Sequence, residues 1–340
     1  MLPALKQRGF TLVEIMVAIA LSGILAIALV QIISNNRQNV VLSESYSQVQ
    51  ESGRLAMELL ARDFRLIGFQ GCLNSIDNSL VNSLLDTTSS GYVAAIHDFS
   101  NKVVAIDNFS GVDTYGGVTP VAGSDLITSH SASSSDLTIT AQPATTSADI
   151  SVSGSAASFA ILNTKPIAVV SDCEVADIFA VTGFDNATGE ISFSTNETDN
   201  GYSVANQSGT DGDLTKQYSS GDRVWVMNTS TFFIGPSAVL PGVNSLFKSS
   251  MLLGNSAVEM VPYINNMQLT YGIDTDSDRS VDVYKTAAQV TADGDDLATD
   301  LGSIKIQLTI DSTSQDAGAP LISRNYTRVI QLRNSKLGVD

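Results

Sequence analysis

An unbroken apolar run from Phe10 to Ile33, FTLVEIMVAIALSGILAIALVQII, constrains this chain more than any other feature. As a helix its 24 residues span about 36 Å, enough to cross the hydrocarbon core of a bilayer. Lys6 and Arg8 precede the run and no base lies within it. That asymmetry predicts residues 1–9 on the cytoplasmic side and everything after the run translocated. The run's one charge is Glu14. A carboxylate inside a membrane helix costs about 2.5 to 3.5 kcal/mol, so it needs a partner or a place near the interface.

The helical pattern does not stop at the membrane. Leu42, Tyr46, Val49, Gly53, Ala56, Leu60, Phe64 and Ile67 recur at steps of three and four and draw one apolar stripe. Glu44, Gln48, Glu51, Arg54, Arg62 and Arg65 fall between them. One helix is predicted from Phe10 to about Gly68, with Gly68 and Gly71 as its stop. Ser22-Gly23 and Ser34-Asn35-Asn36 are places where it could bend or melt. Beyond residue 74 short alternating runs take over, divided by turn sequences such as Asp185-Asn186-Ala187-Thr188-Gly189. Strands are expected at 125–128, 137–140, 157–162, 167–170, 178–181, 191–193, 223–227, 267–273, 281–284, 304–310 and 324–332. The serine- and threonine-rich stretches 74–90 and 129–158 are expected as loops or insertions. A long helix followed by an antiparallel β region is an α+β fold.

A formal charge of −17, from 35 acids and 18 bases, repels phosphates and argues against direct nucleic-acid binding. Two cysteines, Cys72 and Cys173, are too few for a four-ligand zinc site; they form a disulfide if exported, or stay as buried thiols. His97 and His130 sit in polar surroundings and are expected on exposed loops. Asp274, Asp276, Asp278 and Asp282 alternate in DTDSDRSVD, as ligands do in a calcium loop. Arg279 stands where such a loop needs glycine and Lys285 where it needs a bidentate glutamate. A solvated hairpin loop and a calcium site therefore both stand, and calcium is the sole cofactor considered. No nucleophile elbow, phosphate loop or HExxH motif occurs, so no catalytic residues are assigned and an enzyme is not expected.

The string Gly9-Phe10-Thr11-Leu12-Val13-Glu14 resembles the type IV prepilin signature. The resemblance implies that a prepilin peptidase cuts between Gly9 and Phe10 and methylates the new terminus at Phe10. It also implies that Glu14 pairs with the Phe10 amine of a neighbouring subunit. Residues 50–57 (QESGRLAM), 62–65 (RDFR), 68–72 (GFQGC), 171–179 (SDCEVADIF) and 271–278 (YGIDTDSD) are similar to the PilW minor pilins. That family implies a pilin-like fold: a leader (1–9), a transmembrane and assembly helix (10–36), its amphipathic continuation (37–71) and a β-rich periplasmic domain (72–340). It further implies a Cys72–Cys173 disulfide. The expected role is a minor pilin that primes pilus assembly and enters the pilus near its tip, supporting twitching motility, adhesion or DNA uptake. Its expected partners are other minor pilins, the major pilin, the peptidase, the inner-membrane assembly platform and inner-membrane lipid. The alternatives are a J-type pseudopilin of a type II secretion system and a calcium-dependent tip adhesin.

Overall fold

The computed structural model describes residues 11–73, 80–133, 135–193, 204–254, 256–276, 278, 280–312 and 322–334. Helix α1 (Leu12–Phe64) runs through 53 residues without a break, about 80 Å at the α-helical rise. It stays helical at both expected weak points. At the first, the Ser22 hydroxyl donates to the Ile19 carbonyl at 2.9 Å, which satisfies it inside the apolar run. After Phe64 the chain turns, and Gly68 and Gly71 take φ values of +73° and +93°, open to glycine without strain. The Trp225 ring lies where a side chain on Gly71 would be, 2.7 Å from a built Cβ.

The β region forms two sheets. The first contains β1 (Val81–Ser83), β2 (Val103–Ile106), β3 (Leu126–Ala132), β4 (Leu137–Ile139), β5 (Ile150–Ser153), β6 (Ile167–Ser171), β7 (Ala176–Ala180), β8 (Gly183–Asp185), β9 (Glu190–Ser192), β10 (Arg223–Pro236), β11 (Asn244–Ser250) and β12 (Ala257–Pro262). Strand β10 is its spine and pairs with β3, β4, β6 and β11. The second contains β13 (Ile264–Ile273), β14 (Val283–Lys285), β15 (Leu301–Asp311) and β16 (Ser323–Gln331), in the order β14-β13-β15-β16. Pairing between these strands is antiparallel except for β1 on β7, which is parallel. Three short helices complete the described fold: α2 (Ala94–His97), α3 (Ala156–Leu162) and α4 (Ala287–Asp293). The molecule is a pilin-like α+β protein.

The amphipathic stripe explains where α1 docks. Val49, Ala56, Leu60, Phe64 and Ile67 are buried against Met267, Leu269 and Tyr271 of β13 and Ile304, Ile306, Leu308 and Ile310 of β15. Strand β15 shows the period of two this requires, with Lys305 and Gln307 turned out between buried aliphatics. Burying each such large side chain contributes about 1.5 to 3 kcal/mol. Gly53 lets the helix approach the sheet: a Cβ there would stand 2.6 Å from the Tyr326 ring.

The structure corrects three expectations. Residues 157–162 are helix, because the Ser155 side chain accepts from the Ser158 N–H and caps α3, an arrangement that outweighs β-propensity. The stretch 129–158 is not loop: it holds the end of β3, then β4, β5 and the start of α3. Ser129, Ser131, Thr138, Ser151 and Ser153 are strand residues, and the Ser129 hydroxyl donates to the Ser230 carbonyl across β3 and β10 at 3.2 Å. His97 and His130 are buried, at 4% and 1% exposure, and hydrogen bonds to backbone explain how. Nδ1 of His97 accepts the Val93 N–H at 2.9 Å. His130 Nδ1 lies 2.5 Å from the Asn101 carbonyl and Nε2 lies 3.2 Å from that of Ala95.

Candidate functional site

Among the described residues, every residue of α1 from Leu12 to Val40 is exposed. Leu12 is 75% exposed, Ile24 65% and Ile33 56%. The helix is long and apolar enough to cross a membrane. A bare apolar rod of this length is stable only with lipid or other helices around it.

Gly9 and Phe10 lie outside the described residues. Glu14 lies inside them, and its setting holds a feature the sequence reading missed. Thr11 and Glu14 form a reciprocal capping box: the Thr11 N–H and hydroxyl both donate to Glu14 Oε2 at 3.1 Å, and the Glu14 N–H donates to Thr11 Oγ1 at 3.4 Å. The signal was present in Thr-Leu-Val-Glu, the T-x-x-E pattern of such boxes. The bonds draw the carboxylate back toward the helix N-terminus, the positive end of the helix dipole, where an anion is favoured.

At its other end α1 is fastened to the β region by polar and covalent contacts. The Gly68 N–H donates to the His130 carbonyl at 2.9 Å, and the Ala132 N–H to the Phe69 carbonyl at 2.5 Å. Lys248 of β11 pairs with Asp63 at 2.7 Å, both largely buried, while Phe64 meets Phe232 edge-on at 5.5 Å between ring centres. Cys72 and Cys173 are joined as a disulfide with Cα atoms 4.8 Å apart, across 101 residues of sequence. The turn at Cys173, where φ is +75°, is held by its neighbours. Asp172 Oδ1 accepts from the N–H groups of Glu174 and Val175, and Lys216 pairs with Asp172. Burial would raise the Asp172 carboxyl, but the Lys216 ammonium and these two N–H groups hold it down, at about 2.

The acidic loop joins β13 to β14 and brings together three of its four expected residues. Ligand oxygens of Asp274, Asp276 and Asp282 lie within 4.8 Å of one another. Asp278 is used otherwise: its Oδ1 accepts from the Ser280 N–H and hydroxyl at 2.8 and 2.6 Å. Asp282 Oδ2 holds the Thr275 N–H and hydroxyl, both at 2.8 Å. The Asp278 N–H bond pulls the Asp276 carboxyl down, but desolvation and the carboxylates of Asp278, Asp282 and Asp274 leave it above its ordinary value. Like charge is concentrated here.

Comparison with known proteins separates the two ends of the chain. Residues 5–30 match the prokaryotic N-terminal methylation motif. Residues 231–334, from the middle of β10 through the whole second sheet, match the family described as type IV pilus-assembly protein W. At both ends the chain resembles a PilW-like type IV pilin. No curated protein and no solved structure matches it. Of the strings that resemble this family, those at 50–57, 62–65, 68–72 and 171–179 fall outside both matched segments, and 271–278 falls inside the second. Both matched families are of structural pilus components.

Proposed function

We propose that this pilin is a minor subunit that primes type IV pilus assembly and enters the pilus near its tip. It inserts in the bacterial inner membrane with residues 1–9 in the cytoplasm and the β region in the periplasm. The prepilin peptidase cuts between Gly9 and Phe10 and methylates Phe10. The processed chain then joins other minor pilins and the major pilin at the inner-membrane assembly platform. It works by association, with no catalytic turnover. Adhesion, twitching motility or DNA uptake would follow from the filament it helps to start.

The observation that carries this reading is the division of α1 into a packed half and a bare apolar half with Glu14 near its tip. Two opposite charges placed together in low dielectric offset their desolvation and fix the axial offset between adjacent helices. Mass spectrometry of the mature amino terminus tests it: the expected species starts at a methylated Phe10. A chain that keeps residues 1–9 in cells with a working pilus machine refutes it. Glu14→Ala should insert normally and fail to enter filaments; normal incorporation would remove the charge pair from the account.

A second reading adds an ion at the β13–β14 loop. Asp274, Asp276 and Asp282 converge closely enough to hold a hard oxygen-seeking cation such as calcium, and the loop would then serve a calcium-dependent contact. Calorimetry of the full chain in detergent should show calcium heat that Asp276→Asn abolishes. No heat with calcium ends this reading.

A further inference from the structure

Charge on the second sheet is distributed unevenly from edge to edge. Strand β16 forms one edge and β14 the other, three strand spacings or about 14 Å apart. At the β16 edge Arg54, Arg62 and Arg65 of α1 and Tyr326 and Arg328 of β16 line a groove of about 710 Å³. Arg324, four residues before Arg328, stacks over the Tyr46 ring at 5.3 Å. The one acid lining the groove is Glu58, and Arg62 also holds Asp63 at 3.2 Å, which leaves Arg54, Arg65 and Arg328 as the groove's main cations. In a chain of formal charge −17 this concentration of arginine opposes the rest of the surface. Leu55 of α1 and Leu66 of the turn after it stand exposed nearby, at 43% and 47%. Arginine beside exposed aliphatic and aromatic groups is the composition of a protein interface. The opposite edge carries the convergent carboxylates of Asp274, Asp276 and Asp282, with Asp278 next to them.

We propose that the arginine groove at the β16 edge of one subunit receives the acidic β13–β14 loop of a second copy. The proposal rests on the assembly reading above and names a contact for it outside the membrane. Charge complementarity selects the occupant, because one molecule presents both halves of the match on opposite edges of one sheet. Such a contact is heterologous: each copy offers its basic edge to one neighbour and its acidic edge to the next. A contact of this kind leaves one unlike edge free on each copy and does not close a dimer, so the free edges stay open to other subunits. Anionic lipid does not fit the groove. Arg54 lies 21 residues past Ile33 along one continuous helix, about 30 Å beyond the apolar run and several Debye lengths from a headgroup layer. Nucleic acid is disfavoured by the net charge and by Glu58 among the arginines.

The test uses the full chain in nonionic detergent with a chelator, so that no metal occupies the loop. Association is followed by sedimentation at rising salt. The expected result is association between copies that weakens steeply with salt. Arg54→Glu with Arg328→Glu should weaken it about tenfold or more, the scale of lost charge complementarity at a protein interface. Asp276→Lys with Asp278→Lys should do the same. An equimolar mixture of the two variants should associate again, because the reversed groove of one meets the reversed loop of the other. Association untouched by either variant, or no recovery in the mixture, overturns the proposal. Failure here leaves processing at Gly9 and salt-insensitive helix association intact, whereas failure of the assembly reading appears as retention of residues 1–9.

Discussion

Acidification of the folded chain should expose the cost of its buried histidines. His97 is 4% exposed, and burial first, then the nearby His130, lower its pKa from 6.5 to about 4. Burial lowers His130 as well. The fold therefore favours neutral rings, while the unfolded chain takes up protons from about pH 6.5 downward. The sign follows from linkage: this contribution is complete above pH 6.5 and disappears as pH falls toward 4. For His97 alone the shift gives at most about 2 kcal/mol lost by pH 5, and His130 adds to it in the same direction. Denaturant unfolding in detergent can be followed by the chain's single tryptophan, Trp225, which lies against the Gly71 turn. Carboxylates titrate in the same region, so the decisive comparison is with His97→Asn, whose side-chain oxygen can still accept the Val93 N–H. That variant should lose stability less steeply between pH 6.5 and 4.5. Parallel curves for the two proteins would show that His97 keeps an ordinary pKa and refute the burial argument.

Other expectations follow from the packing of α1. Phe64→Ala should cost about 3 to 5 kcal/mol, as full truncation of a buried aromatic does, read as a lower denaturation midpoint with membrane insertion unchanged. Gly53→Val should push Tyr326 and Ile310 off the helix and destabilise the chain by about 1 to 3 kcal/mol, while Gly23→Val, where a Cβ meets nothing, should leave its β region untouched. Replacing Cys72 and Cys173 with serine should cost about 4 to 5 kcal/mol in the chain-entropy account for a loop of this length. Reductant should reproduce that loss in the parent chain and have no effect on the variant.

The long helix was legible because two signals of different kind agreed along it. Hydropathy marks 10–33 and a three-four periodicity marks 42–67, and both describe one rod whose surroundings change. The second sheet was legible for a related reason: Ile304, Ile306, Leu308 and Ile310 alternate with polar residues and face a single core. The first sheet was harder to read. Its strands β5 and β8, four and three residues long, were not expected, being too short for alternation to rise above composition, although the equally short β4 and β9 were. Strand β3 buries serine, threonine and histidine, which pattern reading assigns to loops. These residues are satisfied by partners far away in sequence, such as the Ser230 carbonyl for Ser129 and the Thr231 hydroxyl for Thr128, and local pattern does not register such partners. The histidines were misread for the same reason, since nothing near His130 in sequence announces the Asn101 and Ala95 carbonyls. The acidic loop shows the opposite limit. Its spacing suggested four convergent carboxylates, yet Asp278 bonds Ser280, because an aspartate in a turn finds a backbone N–H two residues on before it finds a distant partner. Where a proposed role depends on a run, as for α1 and Glu14, sequence carries it. Where a proposed contact depends on which edges of a sheet lie opposite one another, as with the arginines beside β16, only the folded chain brings the charges together.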